Sequence, residues 1–175
     1  MKIKIGTACG GMLLFVATVI SAFPADAQIV CLGASNTVGE GVSKQDSFPA
    51  QLEVMLRAKG YTGQIANEGI SGDTTSGMLR RLDRAVPPGT RVVILQPGGN
   101  DARQGSAADR AANVAEIQAR LKARGITVIM LEHETAHAGG PQNLSDGIHF
   151  KPEGYRLIAS WLLPDVLRAL GQSAG

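Results

Sequence analysis

Four short apolar runs recur along the chain, and a segment with helical spacing follows each. The runs are residues 28–33 (QIVCLG), 64–69 (QIANEG), 91–96 (RVVILQ) and 126–131 (ITVIML). The third is apolar at consecutive positions rather than alternating, which suits a strand covered on both faces. Residues 48–59 place Leu52, Met55 and Leu56 at helical spacing and stop at Gly60. A second helix is predicted over 74–86, after Asp73, with Met78, Leu79 and Leu82 on one side. A third is predicted over 106–124, with Val114, Ile117 and Leu121. The last begins near Pro152, carries Leu157, Ile158, Trp161 and Leu162, and is disturbed by Pro164, leaving a short helical tail to Leu170. This alternation predicts a three-layer α/β domain with a parallel sheet. Active sites in such sheets lie at the carboxyl ends of the strands.

The N-terminus reads differently. Lys2 and Lys4 precede an apolar run over 11–23, and Ala25-Asp26-Ala27 is a small-x-small cleavage signal. Residues 1–27 are therefore expected to be a secretory signal peptide, leaving one domain over 28–175 and a secreted or periplasmic product. The run is short for a membrane anchor, and Cys9 precedes it rather than sitting where a lipoprotein cysteine would. Cys31 is the one cysteine of the expected domain, so no disulfide forms within it. Its apolar strand setting predicts buried filler. At 44% hydrophobic and 18% charged residues, the chain is not of disordered composition. Lys+Arg 17 against Asp+Glu 15 excludes a polybasic nucleic-acid binder. The oligomeric state is left open.

Polar clusters sit at the predicted strand ends. They are Gly33-Ala34-Ser35-Asn36-Thr37, Ser71-Gly72-Asp73-Thr74-Thr75, Gly98-Gly99-Asn100-Asp101 and, before the last helix, Asp146-Gly147-Ile148-His149. Singly, each is an ordinary turn. Together they hold the parts of one reaction. A serine becomes a nucleophile when a histidine serves as its base, and the histidine needs a partner that fixes its tautomer. Asp146 is three residues before His149, so one turn can join them. Backbone N–H groups at Ser35 and Gly72 and the Asn100 amide are candidate oxyanion donors. Each such donor is worth about 2.7–4 kcal/mol of transition-state stabilisation. Asn36, Asp73 and His137 are candidate substrate contacts.

In these four clusters and their order, the sequence resembles the SGNH (GDSL) hydrolase superfamily. Residues 67–84 (NEGISGDTTSGMLRRLDR) and 98–101 (GGND) most resemble its bacterial periplasmic thioesterase/lysophospholipase and arylesterase group. The resemblance implies a flavodoxin-like fold, with Ser35 as nucleophile and His149 as base. It implies that Asp146 orients His149 and that Gly72 and Asn100 complete the oxyanion hole with Ser35. It further implies a small acyl ester or thioester substrate and no metal or organic cofactor. Two departures stand out. Ala34 replaces the family aspartate that usually helps hydrogen-bond the nucleophile turn. The segment from Asn100 to His149 is short, as if one β-α unit were missing, which predicts an open groove suited to short acyl chains.

Rival readings exist. His133-Glu134-Thr135-Ala136-His137 is a literal H-E-x-x-H, which on a helix binds zinc. Here a predicted strand precedes it, Gly139-Gly140-Pro141 follows, and Asn143 stands where a longer metalloprotease pattern wants a third histidine. A loop bordering the pocket, with His137 against substrate, fits that context. No phosphate-binding glycine motif is present, and Thr37 breaks the G-x-S-x-G elbow. A secreted binding module that kept the fold and lost activity has Ala34 as its one support. The domain's aromatics, Phe48, Tyr61, Phe150, Tyr155 and Trp161, are too few for a polysaccharide-stacking surface.

Overall fold

The computed structural model describes residues 27–132 and 140–171. Residues 1–26 of the candidate leader and the HETAH motif, with His137, lie outside the described residues, while Ala27, the last residue of that expected leader, opens the first strand.

Four strands form one parallel sheet: β1 (Ala27–Gly33), β2 (Gln64–Gly69), β3 (Val92–Gln96) and β4 (Thr127–Met130). Their order is β2-β1-β3-β4. Side chains alternate across a strand, so the central strands feed two cores. Ile29, Cys31, Val92 and Ile94 pack under α2 (Phe48–Ala58) and α7 (Pro152–Ala169). Val30, Leu32, Val93 and Leu95 pack under α3 (Thr75–Arg80), α4 (Leu82–Ala85) and α6 (Arg110–Ala123). Every β3 residue is buried, which is why RVVILQ reads as a continuous apolar run. Cys31 is buried filler, and desolvation pushes its thiol pKa up, away from nucleophilic use.

The chain steps from β1 to β2 on one side, then crosses to β3 on the other. This places a topological switch point between β1 and β3. Gly33 pairs with both Gly69 and Gln96, so three strands end level and their loops leave from one edge. A Cβ at Gly69 would lie 2.3 Å from the Val38 nitrogen, so only glycine lets α1 (Ser35–Val38) rest on the end of β2. The flavodoxin-like order has five strands. Four are present among the described residues. Beyond β4 the described chain before α7 holds a single 3-10 turn, Gly140–Gln142.

Two helices differ from expectation. The helix predicted over 74–86 is broken at Arg81, whose guanidinium is drawn back to the strand ends. The final helix runs through Pro164 without interruption. Pro164 and Ser160, whose carbonyl loses its N–H partner, are both exposed, so water can take that bond.

Candidate active site

Ser35 opens α1 directly after β1 and is 9% exposed. Thr37 and Val38 N–H groups both donate to Ala34 O, which closes the turn. The Ala34 N–H is buried and donates to Gln96 Oε1 at 3.0 Å, and the Thr37 hydroxyl donates to the same oxygen at 3.2 Å. Leaving a buried donor unpaired costs about 1–3 kcal/mol. The turn is thus held from the end of β3 and does not need a polar side chain at position 34.

Ile70 N–H donates to Gly33 O at 3.1 Å, and Asp73 N–H closes a turn onto Ile70 O at 3.1 Å. Gly72 sits in that turn at φ +75°, a conformation in which any side chain is strained. Among the described residues, no acceptor takes the N–H of Ser35 or of Gly72. Thr74 Oγ1 accepts from Gly77 N–H and caps α3. Asp73, expected to contact substrate, is instead turned inward. Its carboxylate accepts from Arg81 Nε at 2.8 Å and its side chain is only 11% exposed. The pull of a nearly buried guanidinium outweighs solvent there.

Asn100 begins α5 (Asn100–Arg103) and is 6% exposed. Arg103 donates to its Oδ1 at 2.6 Å, which fixes the amide orientation. Its Nδ2 donates one hydrogen to Asp73 O at 2.8 Å, leaving a second. The next residue, Asp101, is fully buried and accepts from Thr75 N–H and, at 2.6 Å, from the Thr75 hydroxyl. The Asn-Asp pair therefore locks the third cluster onto the second.

Asp146 and His149 lie in a small turn closed by an antiparallel bridge between Asn143 and Phe150. Asp146 Oδ1 accepts the N–H groups of Ile148 and His149, each at 2.9 Å. Its Oδ2 lies 2.6 Å from His149 Nδ1. Hydrogen bonds from the His149 and Ile148 backbone, then from the His149 ring, pull the Asp146 pKa down to about 2. A depressed folded pKa stabilises the fold above the ordinary carboxylate range, and that contribution is lost as pH falls through about 2. The Asp146 carboxyl carbon is accordingly expected to titrate near pH 2 by NMR. A midpoint at the ordinary value of 3.8 would show that the turn does not hold it.

With Nδ1 committed to Asp146, His149 presents Nε2. That atom is buried and has no hydrogen-bond partner. At the switch point, a crevice of about 360 Å³ is lined by Asn36, Gln96, Gly98, Arg110 and Glu132, among others. Asn36, a candidate substrate contact, borders this crevice. A second cavity, of about 370 Å³, opens beside the β2 edge between Lys44, Glu53 and Asn67.

Residues 31–139 match the GDSL-like Lipase/Acylhydrolase family. The chain belongs to this family. The matched stretch carries Ser35, Gly72 and Asn100, while Asp146 and His149 follow it. This GDSL-like protein is 30% identical to Esterase TesA of Pseudomonas aeruginosa over 65% of its own length and 58% of the relative's. It is 28% identical to an arylesterase of Vibrio mimicus over 64% of its own length and 57% of the relative's. The chain thus spans less than two thirds of either relative. The crystal structure of TesA superposes with a TM-score of 0.73 at 22% identity, covering 81% of this chain and 98% of that one. That likeness establishes the three-layer parallel fold.

Four residues that shape the site were not singled out for it from the sequence. Gln96, Arg81, Asp101 and Glu40 act through contacts far along the chain. Gln96 ends an otherwise apolar run, and an isolated buried polar residue there was the one available hint.

Proposed function

We propose that this GDSL-like protein is a serine hydrolase of carboxyl esters or thioesters, acting through an acyl-enzyme on small or short-acyl substrates. The observation that carries the reading is the Asp146–His149 pair, with Nδ1 bound to the carboxylate and Nε2 buried and unpartnered. This is the tautomer a general base needs, with the accepting nitrogen left for Ser35. Catalytic hydrogen bonds often tighten only when substrate is bound.

Ser35 Oγ attacks the acyl carbon as Nε2 takes its proton. The oxyanion is held by the N–H groups of Ser35 and Gly72 and by the remaining Asn100 Nδ2 hydrogen. His149 then protonates the leaving group, which departs as the alcohol or thiol. A water, deprotonated by His149, releases the acid. These groups supply every step without a metal or organic cofactor. The shortness of the Asn100–His149 segment in the sequence supports an open acyl groove. Residues 1–27 read as a secretory leader, which supports a secreted or periplasmic enzyme. No helix among the described residues is long and apolar enough to cross a membrane.

A fluorophosphonate probe, used with and without a chelator, tests the reading. Labelling at Ser35 that is insensitive to the chelator is expected. Hydrolysis that the chelator abolishes, with no labelling, would favour zinc chemistry at the HETAH segment. Neither labelling nor hydrolysis would leave a binding module.

A further inference from the structure

Glu40 is not used in the acyl transfer just described, yet its charge stands beside the reacting atoms. Its N–H donates to Ser35 O at 3.0 Å. Its carbonyl accepts from the Tyr155 hydroxyl at 3.3 Å, and Tyr155 is fully buried in α7. The Glu40 backbone is therefore fixed at both polar groups, to the nucleophile helix and to the last helix. Its carboxylate accepts a hydrogen bond from Ser71 Oγ, immediately before Gly72. The same oxygen, Oε2, lies 3.8 Å from His149 Nε2. The Glu40 side chain remains 45% exposed, so it faces incoming molecules.

Cations on the loops and helices of the site are engaged elsewhere. Arg81 pairs with Asp73, Arg110 with Glu132, Arg103 binds Asn100 Oδ1 and Lys151 binds Pro141 O. Among the described residues, no Lys or Arg stands within ion-pair distance of Glu40, and its one such contact is the His149 ring. Asp146 holds the other ring nitrogen, so both sides of the imidazole carry a carboxylate.

Nε2 hands its proton to the leaving oxygen, so the departing group passes beside Glu40. We infer that Glu40 selects the leaving group by charge, favouring esters whose alcohol carries an ammonium group a few bonds from the ester oxygen. The inference rests on the acyl-enzyme reading above. The Ser35 Oγ–acyl bond forms, the acyl–alkoxy bond breaks, and the proton moves from Ser35 through Nε2 to the alkoxide. The released alcohol keeps its positive charge throughout. A half-exposed carboxylate with no Lys or Arg beside it attracts a cation over several ångströms, enough for roughly a tenfold preference.

The test compares acetylcholine with its neutral isostere, 3,3-dimethylbutyl acetate, on the full-length protein. At low ionic strength, the wild type is expected to favour the cationic ester about tenfold in kcat/KM. Half-molar salt should compress that ratio by screening. Glu40→Gln should bring it towards one, and Glu40→Lys should invert it. A ratio near one in the wild type, or one that Glu40→Gln and salt leave unchanged, overturns the selectivity while both esters are still hydrolysed. Hydrolysis of neither ester overturns the selectivity, and if the fluorophosphonate also fails to label Ser35 the acyl-enzyme reading falls with it.

Discussion

Replacing Ser35 with alanine is expected to cut kcat on a short p-nitrophenyl ester by on the order of 10⁴-fold or more. Stability should barely change. Ser35 Oγ makes no hydrogen bond among the described residues, so the substitution removes no pairing. The turn around it is held by Gln96 and by backbone bonds to Ala34 O, none of which uses the Ser35 side chain. His149→Ala should lose a similar factor. The loop should persist, because Asp146 still caps the Ile148 and His149 N–H groups through Oδ1. In the proposed mechanism nucleophile and base act as one unit, so the double variant should be little worse than either single one. Kinetics and a thermal melt on the three variants check this. Turnover at the wild-type level in either single variant, at matched folding, would remove Ser35 or His149 from the reaction.

The fold was legible because its strands are written as local apolar runs and its longer helices as periodic ones. RVVILQ suits a strand covered on both faces, and the spacing of Leu52, Met55 and Leu56 suits one helical side. The short helices α1 and α5 were not legible, since four residues are too few to show a period. The break at Arg81 escaped because its cause is a tether to Gly33, 48 residues away. Pro164 misled for the opposite reason. The local rule is sound, but exposure removes most of its cost. At the site, Asp146 and His149 were legible because three residues of spacing suffice to close their turn. Gln96 and Glu40 were not, because one acts across 62 residues and the other on a loop far along the chain. Asp73 was assigned by position in its cluster, and a partner outside the cluster redirected it.

That partner carries the second large effect. Arg81→Met is expected to destabilise the protein by about 3–5 kcal/mol, the usual result of removing one side of a buried ion pair. Arg81 is 8% exposed and donates to Asp73 Oδ2 at 2.8 Å, Glu68 O at 2.9 Å and Gly33 O at 3.2 Å. Its Nη1 is buried without a hydrogen bond, 3.7 Å from Glu68 Oε2. Burial raises the Glu68 pKa against the opposing pull of Arg81. Methionine fills much of the volume but leaves a carboxylate and two strand-end carbonyls short of partners. For a chain of this size, the melting temperature should fall by roughly 10 °C. Activity should fall as well, for a separable reason. Gly33 precedes the proposed nucleophile turn, and Asp73 O receives the Asn100 amide, so one guanidinium fixes the loops that bear the three proposed oxyanion donors. Misplacing one such donor costs about 10²–10³ in kcat. The loss should therefore appear in kcat far more than in KM, measured well below the variant's own melting point. Arg81→Lys keeps the charge but loses the planar fork, so it should recover part of the stability and little of kcat. A purely structural Arg81 would show the opposite pattern: a lowered melting temperature with wild-type kcat in whatever fraction remains folded.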